Sequence, residues 1–163
     1  MIYQFTTLAT IYTPFQSLEN MPVQPCGADG CIGEIIFKEE YARGLKDLEG
    51  FSHLYLIYYF HKVNNYALEV VPFNDHTNTK RGVFATRTPM HPNNIGLSIV
   101  ELVSVTNNIV TVKGIDVLSG TPLIDIKPYI ENFDKIISKP KSGWMEKSYD
   151  DVKKIRSDRR FIQ

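Results

Sequence analysis

Ile95-Gly-Leu-Ser-Ile-Val-Glu-Leu-Val-Ser-Val105, a break at Asn107-Asn108, and then Val110-Thr-Val-Lys-Gly-Ile-Asp-Val117 decide the fold. The first run is long and rich in β-branched residues. In the second, Val110 and Val112 alternate with Thr111 and Lys113. A period of two places alternate side chains on opposite faces of a strand. Asparagine tolerates the positive φ of a tight turn, so the two runs read as a β-hairpin.

Working outward, the same punctuation recurs. Leu123–Lys127 alternates and stops at Pro128, Ile32–Phe37 is a strand, and Gln4–Thr13 is a strand ending at Pro14. Phe51–His61 is the most apolar run and reads as a central strand covered on both faces. Gly82–Thr86 reads as a short strand, and Glu39–Leu48 as a short helix broken by Gly44. Residues 14–31 and 87–94 are rich in Pro, Gly and Asn and read as loops. Parallel crossovers need helices of about 10–15 residues, and the strands are not separated by such segments. The expected class is therefore mainly β, a single-domain antiparallel β-barrel with a few short helices.

At the C-terminus Tyr149, Val152 and Ile155 fall three apart, the stripe of a helix, and Ser148 with Asp151 resembles a weak cap. The expected division is a barrel domain over 1–137 and a basic, helical extension over 138–163.

The 163 residues suit one domain with a real core, and 43% hydrophobic with 22% charged residues excludes disordered and fibrous classes. Eighteen basic residues balance eighteen acidic ones, so the chain as a whole is no polyanion binder. The balance is uneven, because residues 139–163 carry eight Lys/Arg against four Asp/Glu. Met1 to Thr10 does not read as a signal peptide. The longest apolar run, Leu54 to Phe60, falls far short of the ~20 residues that span a bilayer. A soluble cytoplasmic protein without membrane contact is expected.

Several chemistries are disfavoured. Gly27, Gly30 and Gly33 match neither a dinucleotide fingerprint nor a P-loop, and no Gly-x-Ser-x-Gly elbow is present. His53 and His61, if on one strand, stand ~26 Å apart and cannot share an ion. Cys26 and Cys31 lack a second cysteine pair, so no metal is expected. What stands out is polar residues in turn-rich segments. Arg87 opens a loop braced by two prolines, which holds its guanidinium at low entropic cost. Asp116 precedes the turn Ser119-Gly-Thr-Pro122, and Asp125 and Lys127 share one face of a strand.

Gly82-Val-Phe-Ala-Thr-Arg-Thr-Pro-Met-His-Pro-Asn-Asn-Ile-Gly-Leu-Ser98 followed by Gly114-Ile-Asp-Val-Leu-Ser-Gly-Thr-Pro-Leu-Ile-Asp-Ile-Lys-Pro-Tyr129 resembles the TsaA-like (TrmO/YaeB) family. Thr13-Pro-Phe15, Pro22-x-Gln24, Gly44-Leu45, Phe51-Ser-His-Leu-Tyr-Leu56 and Phe60-His61 extend the likeness over roughly residues 5–134. The resemblance implies a homodimeric, S-adenosylmethionine-dependent methyltransferase on a β-barrel. Its expected reaction is N6-methylation of threonylcarbamoyl-adenosine at position 37, in the anticodon loop of tRNA. By the same resemblance the cofactor site takes Gln24, Pro25, Cys26, His61, Lys62, Arg87, Leu97, Asp116, Val117, Leu118 and Ser119. An acceptor nitrogen that loses its proton is a better nucleophile. Asp116, Asp125, Tyr129 and His61 are unranked candidates for the base. His91 stands where the family carries Arg, which removes a permanent charge. Longer relatives have a further C-terminal domain, and here Lys153, Lys154, Arg156, Arg159 and Arg160 are candidates for RNA contacts. Two other functions stay open, methylation of a different RNA or small molecule, and non-catalytic binding of the cofactor.

Overall fold

In a sheet with one face inward, only every second residue must be apolar, and the strands obey this rule closely. A computed structural model describes residues 1–73, 75, 77–145, 149–158 and 161. Its strands are β1 (Ala9–Tyr12), β2 (Ile32–Phe37), β3 (His53–Tyr59), β4 (Glu69–Val70), β5 (Arg81–Gly82), β6 (Ile95–Thr106), β7 (Ile109–Lys113) and β8 (Thr121–Pro128). Two short helices follow, α1 (Glu131–Asp134) and α2 (Tyr149–Lys153). Six strands close into an antiparallel barrel in the order β1-β2-β7-β6-β3-β8, while β4 and β5 form a separate ribbon. Closure removes the exposed edges of an open sheet.

Inward positions fill the interior with hydrocarbon. Ile11, Ile35, Leu54, Leu56, Val100, Val110, Val112, Ile115 and Leu123 are all fully buried, as expected of a small barrel that is packed rather than hollow. The hairpin turns at Asn107, whose φ is +56°. The long strand β6 shifts register between Leu102 and Ser104, a bulge that lets it bend around the barrel.

Several elements differ from the sequence expectation. β1 starts five residues late, at Ala9, and ends one residue early. β3 alternates buried and half-exposed residues, so it is covered on its inner face rather than on both. Glu39–Leu45 and Leu48–Gly50 are 3₁₀ turns, as is Val83–Ala85, where a strand is expected. β7 stops at Lys113 because Gly114 turns with φ +81°. α2 ends at Lys153, two residues short, and Ser148 lies outside the described residues. Residues 149–158 do not form a detached helix. They return to the barrel, where Arg156 bridges to Pro22. Lys153 pairs with Asp29 at 2.9 Å, and Arg156 Nη1 donates to the carbonyls of Lys153 and Ile155. Two cations expected to face RNA are thus engaged within the chain, and Arg159 and Arg160 lie outside the described residues.

The antiparallel order has one decisive consequence. The connections 13–31, 60–94 and 114–120 all leave the same end of the barrel. The opposite end receives segment 38–52 and the tight β6–β7 turn, and β8 exits there at Pro128.

Gly96 is the tightest point of the barrel. It pairs with Tyr58, and a Cβ at 96 would lie 2.1 Å from that ring. Gly96→Ala is expected to displace Tyr58 and to destabilise the fold by about 1–3 kcal/mol. Chemical denaturation with unchanged midpoint would show that the ring moves freely.

Candidate functional site at the loop end of the barrel

The three long connections enclose a cavity of about 320 Å³ at their end of the barrel, within the size range of small-molecule sites. Its geometry follows from how each loop is fastened. In loop 87–94 the buried Asn94 takes φ +49° and its side-chain amide donates to the carbonyls of Pro89 (2.8 Å) and Asn65 (3.3 Å). Thr86 Oγ1 donates to the Val83 carbonyl at 2.7 Å, and His91 Nε2 lies 3.1 Å from the Thr86 carbonyl. A ring nitrogen facing a carbonyl must carry the proton. The prolines and these bonds hold Arg87, whose Nη1 donates to Gln24 Oε1 at 3.4 Å.

The segment after β7 is fastened to the loop after β1. Thr13 Oγ1 donates to the Val117 carbonyl at 2.7 Å, Ser119 Oγ accepts from the Thr13 N–H at 3.3 Å, and the Ser119 N–H binds the Phe15 carbonyl. This sets Asp116 beside β6, where Ser98 Oγ donates to its Oδ1 at 2.8 Å. Ser98 in turn lies 3.0 Å from the Tyr58 hydroxyl. Ser98 has one proton, so while it donates to an ionised Asp116, Tyr58 donates to Ser98. A buried polar chain thus runs from the barrel interior to the cavity.

Burial shapes the titration of these groups. It raises the Asp116 carboxyl to about 6, opposed by the Ser98 hydrogen bond, the Asp116 backbone N–H and the Arg87 charge. The Tyr58 phenol is pushed up by burial and then by the Asp116 charge. Burial lowers His61, and the neighbouring Lys62 adds to this. Burial raises the Cys26 thiol above its usual value.

Of the residues the sequence suggests, Gln24, His61, Lys62, Arg87, Leu97, Asp116, Val117 and Leu118 line the cavity together. Pro25 and Ser119 follow lining residues in the chain without lining the cavity themselves, and Cys26 stands one residue further off. Asp125 lies on the outer face of β8, paired with Lys127 at 2.8 Å. Tyr129 is at the far end of the barrel, its N–H on the His53 carbonyl and its ring against His53 and Tyr55. Neither reaches the cavity. Sequence reasoning missed Tyr58 and Ser98, although a serine among inward positions Gly96, Ser98 and Val100 is itself a signal. It also missed Trp144, Met145, Ser157, Asp158 and Phe161, which line the cavity from the C-terminal segment. Among the described residues no group of three potential ligands gathers for a metal, and no helix is long and apolar enough to cross a membrane.

Residues 10–135 match the family described as the tRNA-methyltransferase O N-terminal domain. The chain belongs to that family. It is 41% identical over 158 residues to a Pyrococcus abyssi protein named "Probable S-adenosyl-L-methionine-binding protein", covering 97% of this chain and 84% of that protein. It is 35% identical over 136 residues to the Escherichia coli tRNA (adenine(37)-N6)-methyltransferase, covering 78% of this chain and 58% of that enzyme. Crystallised TrmO from Pseudomonas aeruginosa superposes with a TM-score of 0.73 at 29% identity, over 88% of this chain and 63% of that one. The chain therefore spans less than two thirds of these two methyltransferases. Both the barrel and the cavity-forming loops fall within the matched region.

The raised Asp116 carboxyl carries a stability consequence. Between about pH 4 and 6 the folded chain holds a proton that the unfolded chain has released, so stability falls as pH rises through this window and levels off above it. Asp116→Asn abolishes that loss. Its stability relative to wild type is expected to rise between pH 4 and 7 by roughly 1–3 kcal/mol. Parallel melting curves across pH would refute the assignment.

Proposed function

We propose that this protein binds S-adenosylmethionine in the cavity and methylates N6 of threonylcarbamoyl-adenosine at position 37 of tRNA. The observation that carries this reading is the placement of a held cation, Arg87, and a proton-accepting carboxylate, Asp116, in one largely apolar pocket. The pocket fits the cofactor's chemistry. Arg87 offers a charge-assisted pair to a carboxylate, Leu97 and Val117 offer hydrocarbon, and the loop carbonyls and N–H groups around Gln24 and Val117 suit an adenine edge. When bound, the cofactor supplies an electrophilic methyl on a sulfonium.

The chain's own task is alignment and proton removal. Asp116 accepts the proton of the acceptor's ureido nitrogen, which frees its lone pair for bond formation. Ser98 and Tyr58 hold the carboxylate in place as it gains that proton. Asp125 and Tyr129, remote from the cavity, drop behind Asp116 as candidates for the base, and His61, lowered by burial, stands second. The names of the relatives support tRNA as substrate, and such a reaction belongs in the cytoplasm.

A homodimer completes the reading. The outer face of β3 and β6 carries exposed Ile95, Leu97 and Ile99, paired in register with Tyr59, Ile57 and Tyr55, with exposed Val103 further along β6. A second copy is the occupant this stripe fits. A different acceptor is the second reading, and His91 favours it. Its imidazole faces the Thr86 carbonyl and Phe84, and so braces the loop rather than offering an arginine fork.

The decisive assay is nucleoside mass spectrometry after incubation with S-adenosylmethionine and tRNA bearing unmethylated threonylcarbamoyl-adenosine. The N6-methylated nucleoside is expected. A protein that binds cofactor without forming it acts on another acceptor or only binds. Arg87→Ala is expected to weaken cofactor binding about 10- to 100-fold. The rate should climb as pH rises through about 6, where Asp116 loses its proton, and Asp116→Asn should lower kcat by about 10²–10⁴. Light scattering should return roughly twice the 18.7 kDa subunit mass, and Ile99→Glu with Val103→Glu should return the monomer.

A further inference from the structure

After β8 the chain stands at the wrong end of the barrel to reach the cavity, yet Trp144, Met145, Ser157, Asp158 and Phe161 line it. Two sets of bonds hold them there. On one side the Trp144 indole Nε1 donates to the Ala85 carbonyl at 2.8 Å, and the Arg81 guanidinium lies over the ring at 5.2 Å. Arg81 is fixed in turn by Asp75 at 2.8 Å. On the other side Ser157 exchanges backbone bonds with the 18–22 strand of loop. Its N–H donates to the Met21 carbonyl (2.9 Å), its carbonyl accepts from Asn20 (3.0 Å), and its hydroxyl donates to the Leu18 carbonyl (2.6 Å). The approach is so close that a Cβ on Gly27 would lie 3.1 Å from the Lys153 carbonyl oxygen. Phe161 packs edge-on against Phe73, with ring centroids 4.8 Å apart.

Ordering this segment costs conformational entropy, and what it adds to the cavity is aromatic surface. Trp144 and Phe161 line the same space as Arg87 and Asp116. The polar groups there suit the charged parts of a ligand, and flat apolar walls suit a planar base, which stacks on such rings.

We propose that Trp144, Met145, Ser157, Asp158 and Phe161 form a built-in wall of the ligand site, in which Trp144 and Phe161 contact the adenine ring of S-adenosylmethionine. The proposal rests on the reading that the cavity takes this cofactor. It assigns the C-terminal segment to the site itself rather than to a separate RNA-binding extension.

Trp144 is the single tryptophan of the chain, so its fluorescence reports on this wall alone. Full-length protein is titrated with S-adenosylhomocysteine, followed in parallel by calorimetry and by tryptophan emission. A saturable emission change with the calorimetric midpoint is expected. Phe161→Ala and Trp144→Ala should each weaken binding about tenfold or more, with circular dichroism confirming the fold. If Trp144→Ala does not fold, the wild-type titration and Phe161→Ala decide. Calorimetric binding with flat emission, or with unchanged affinity in a folded Phe161→Ala, overturns the wall while leaving the cofactor reading intact. Emission that responds to tRNA but not to the cofactor analogue likewise overturns it, because the wall then serves the acceptor. No binding heat with wild-type protein overturns the cofactor reading and the wall together.

Discussion

The Tyr58 hydroxyl, 3.0 Å from Ser98 Oγ, is set in a barrel whose other inward side chains are almost all hydrocarbon. A polar group placed there without a partner would cost more than the hydrogen bond returns. The chain solves this with three residues in series. Tyr58 reaches Ser98 because Gly96 leaves room for its ring, and Ser98 reaches Asp116 because the loop after β7 is fastened through Thr13. Remove the space at 96 and the phenol loses its position. Remove the Thr13 bond and the carboxylate loses its floor. The interior of the barrel and the cavity are therefore one structural problem with one solution.

Topology explains why the cavity is where it is. In an antiparallel barrel every connection falls at one end or the other, and here the two longest between barrel strands, 13–31 and 60–94, fall together with 114–120. Long loops are expensive to order and are kept mainly where they do something. Connection 60–94 is held by side-chain-to-backbone bonds from Thr86 and Asn94, and 13–31 and 114–120 are tied to each other through Thr13 and Ser119, rather than by regular structure. The opposite end uses the same device, with the Asn108 amide donating to the Phe37 carbonyl and Glu49 accepting from the Val105 N–H. It is closed by a two-residue turn and by 3₁₀ segments. The C-terminal chain then has to cross the length of the barrel to take part, and it does so by pairing with loop backbone around Met21 and Pro22.

The fold was legible where local chemistry decides and obscure where tertiary contacts decide. Asn107-Asn108 announces the hairpin because positive φ is a local requirement, and Ile32–Phe37 was bounded correctly because the Pro- and Gly-rich segment before it ends there. Val83-Phe-Ala85 has the composition of a strand, but the backbone of buried Val83 closes a 3₁₀ turn, its N–H donating to the Leu68 carbonyl and its carbonyl accepting from the Thr86 N–H. Phe51–His61 reads as doubly covered because its outer face is also apolar, and no sequence rule separates an exposed apolar face from a buried one. Arg87 and Asp116 could be named from their motifs. Trp144 and Phe161 could not, since nothing near them in sequence marks a contact with residues 60 to 90 positions away.

The charges in the cavity give the proposed chemistry its direction. In the free protein burial raises the Asp116 carboxyl to about 6, opposed by the Ser98 hydrogen bond and the Arg87 charge. S-adenosylmethionine brings a carboxylate, an ammonium and a sulfonium, a net gain of one positive charge. A positive charge added to a poorly solvated site favours the ionised carboxylate. On the proposed reading, loading the cofactor would push Asp116 further toward the form that accepts a proton, at the step where the acceptor nitrogen gives one up. Ser98 strengthens this response, because its hydroxyl donates to the carboxylate and stabilises the charge. A fully solvated aspartate would already be ionised and would gain nothing from the cofactor. One buried without Arg87 and Ser98 would stay protonated throughout. The half-buried position of Asp116, between hydrocarbon, a serine and an arginine, is the arrangement in which binding and basicity become linked.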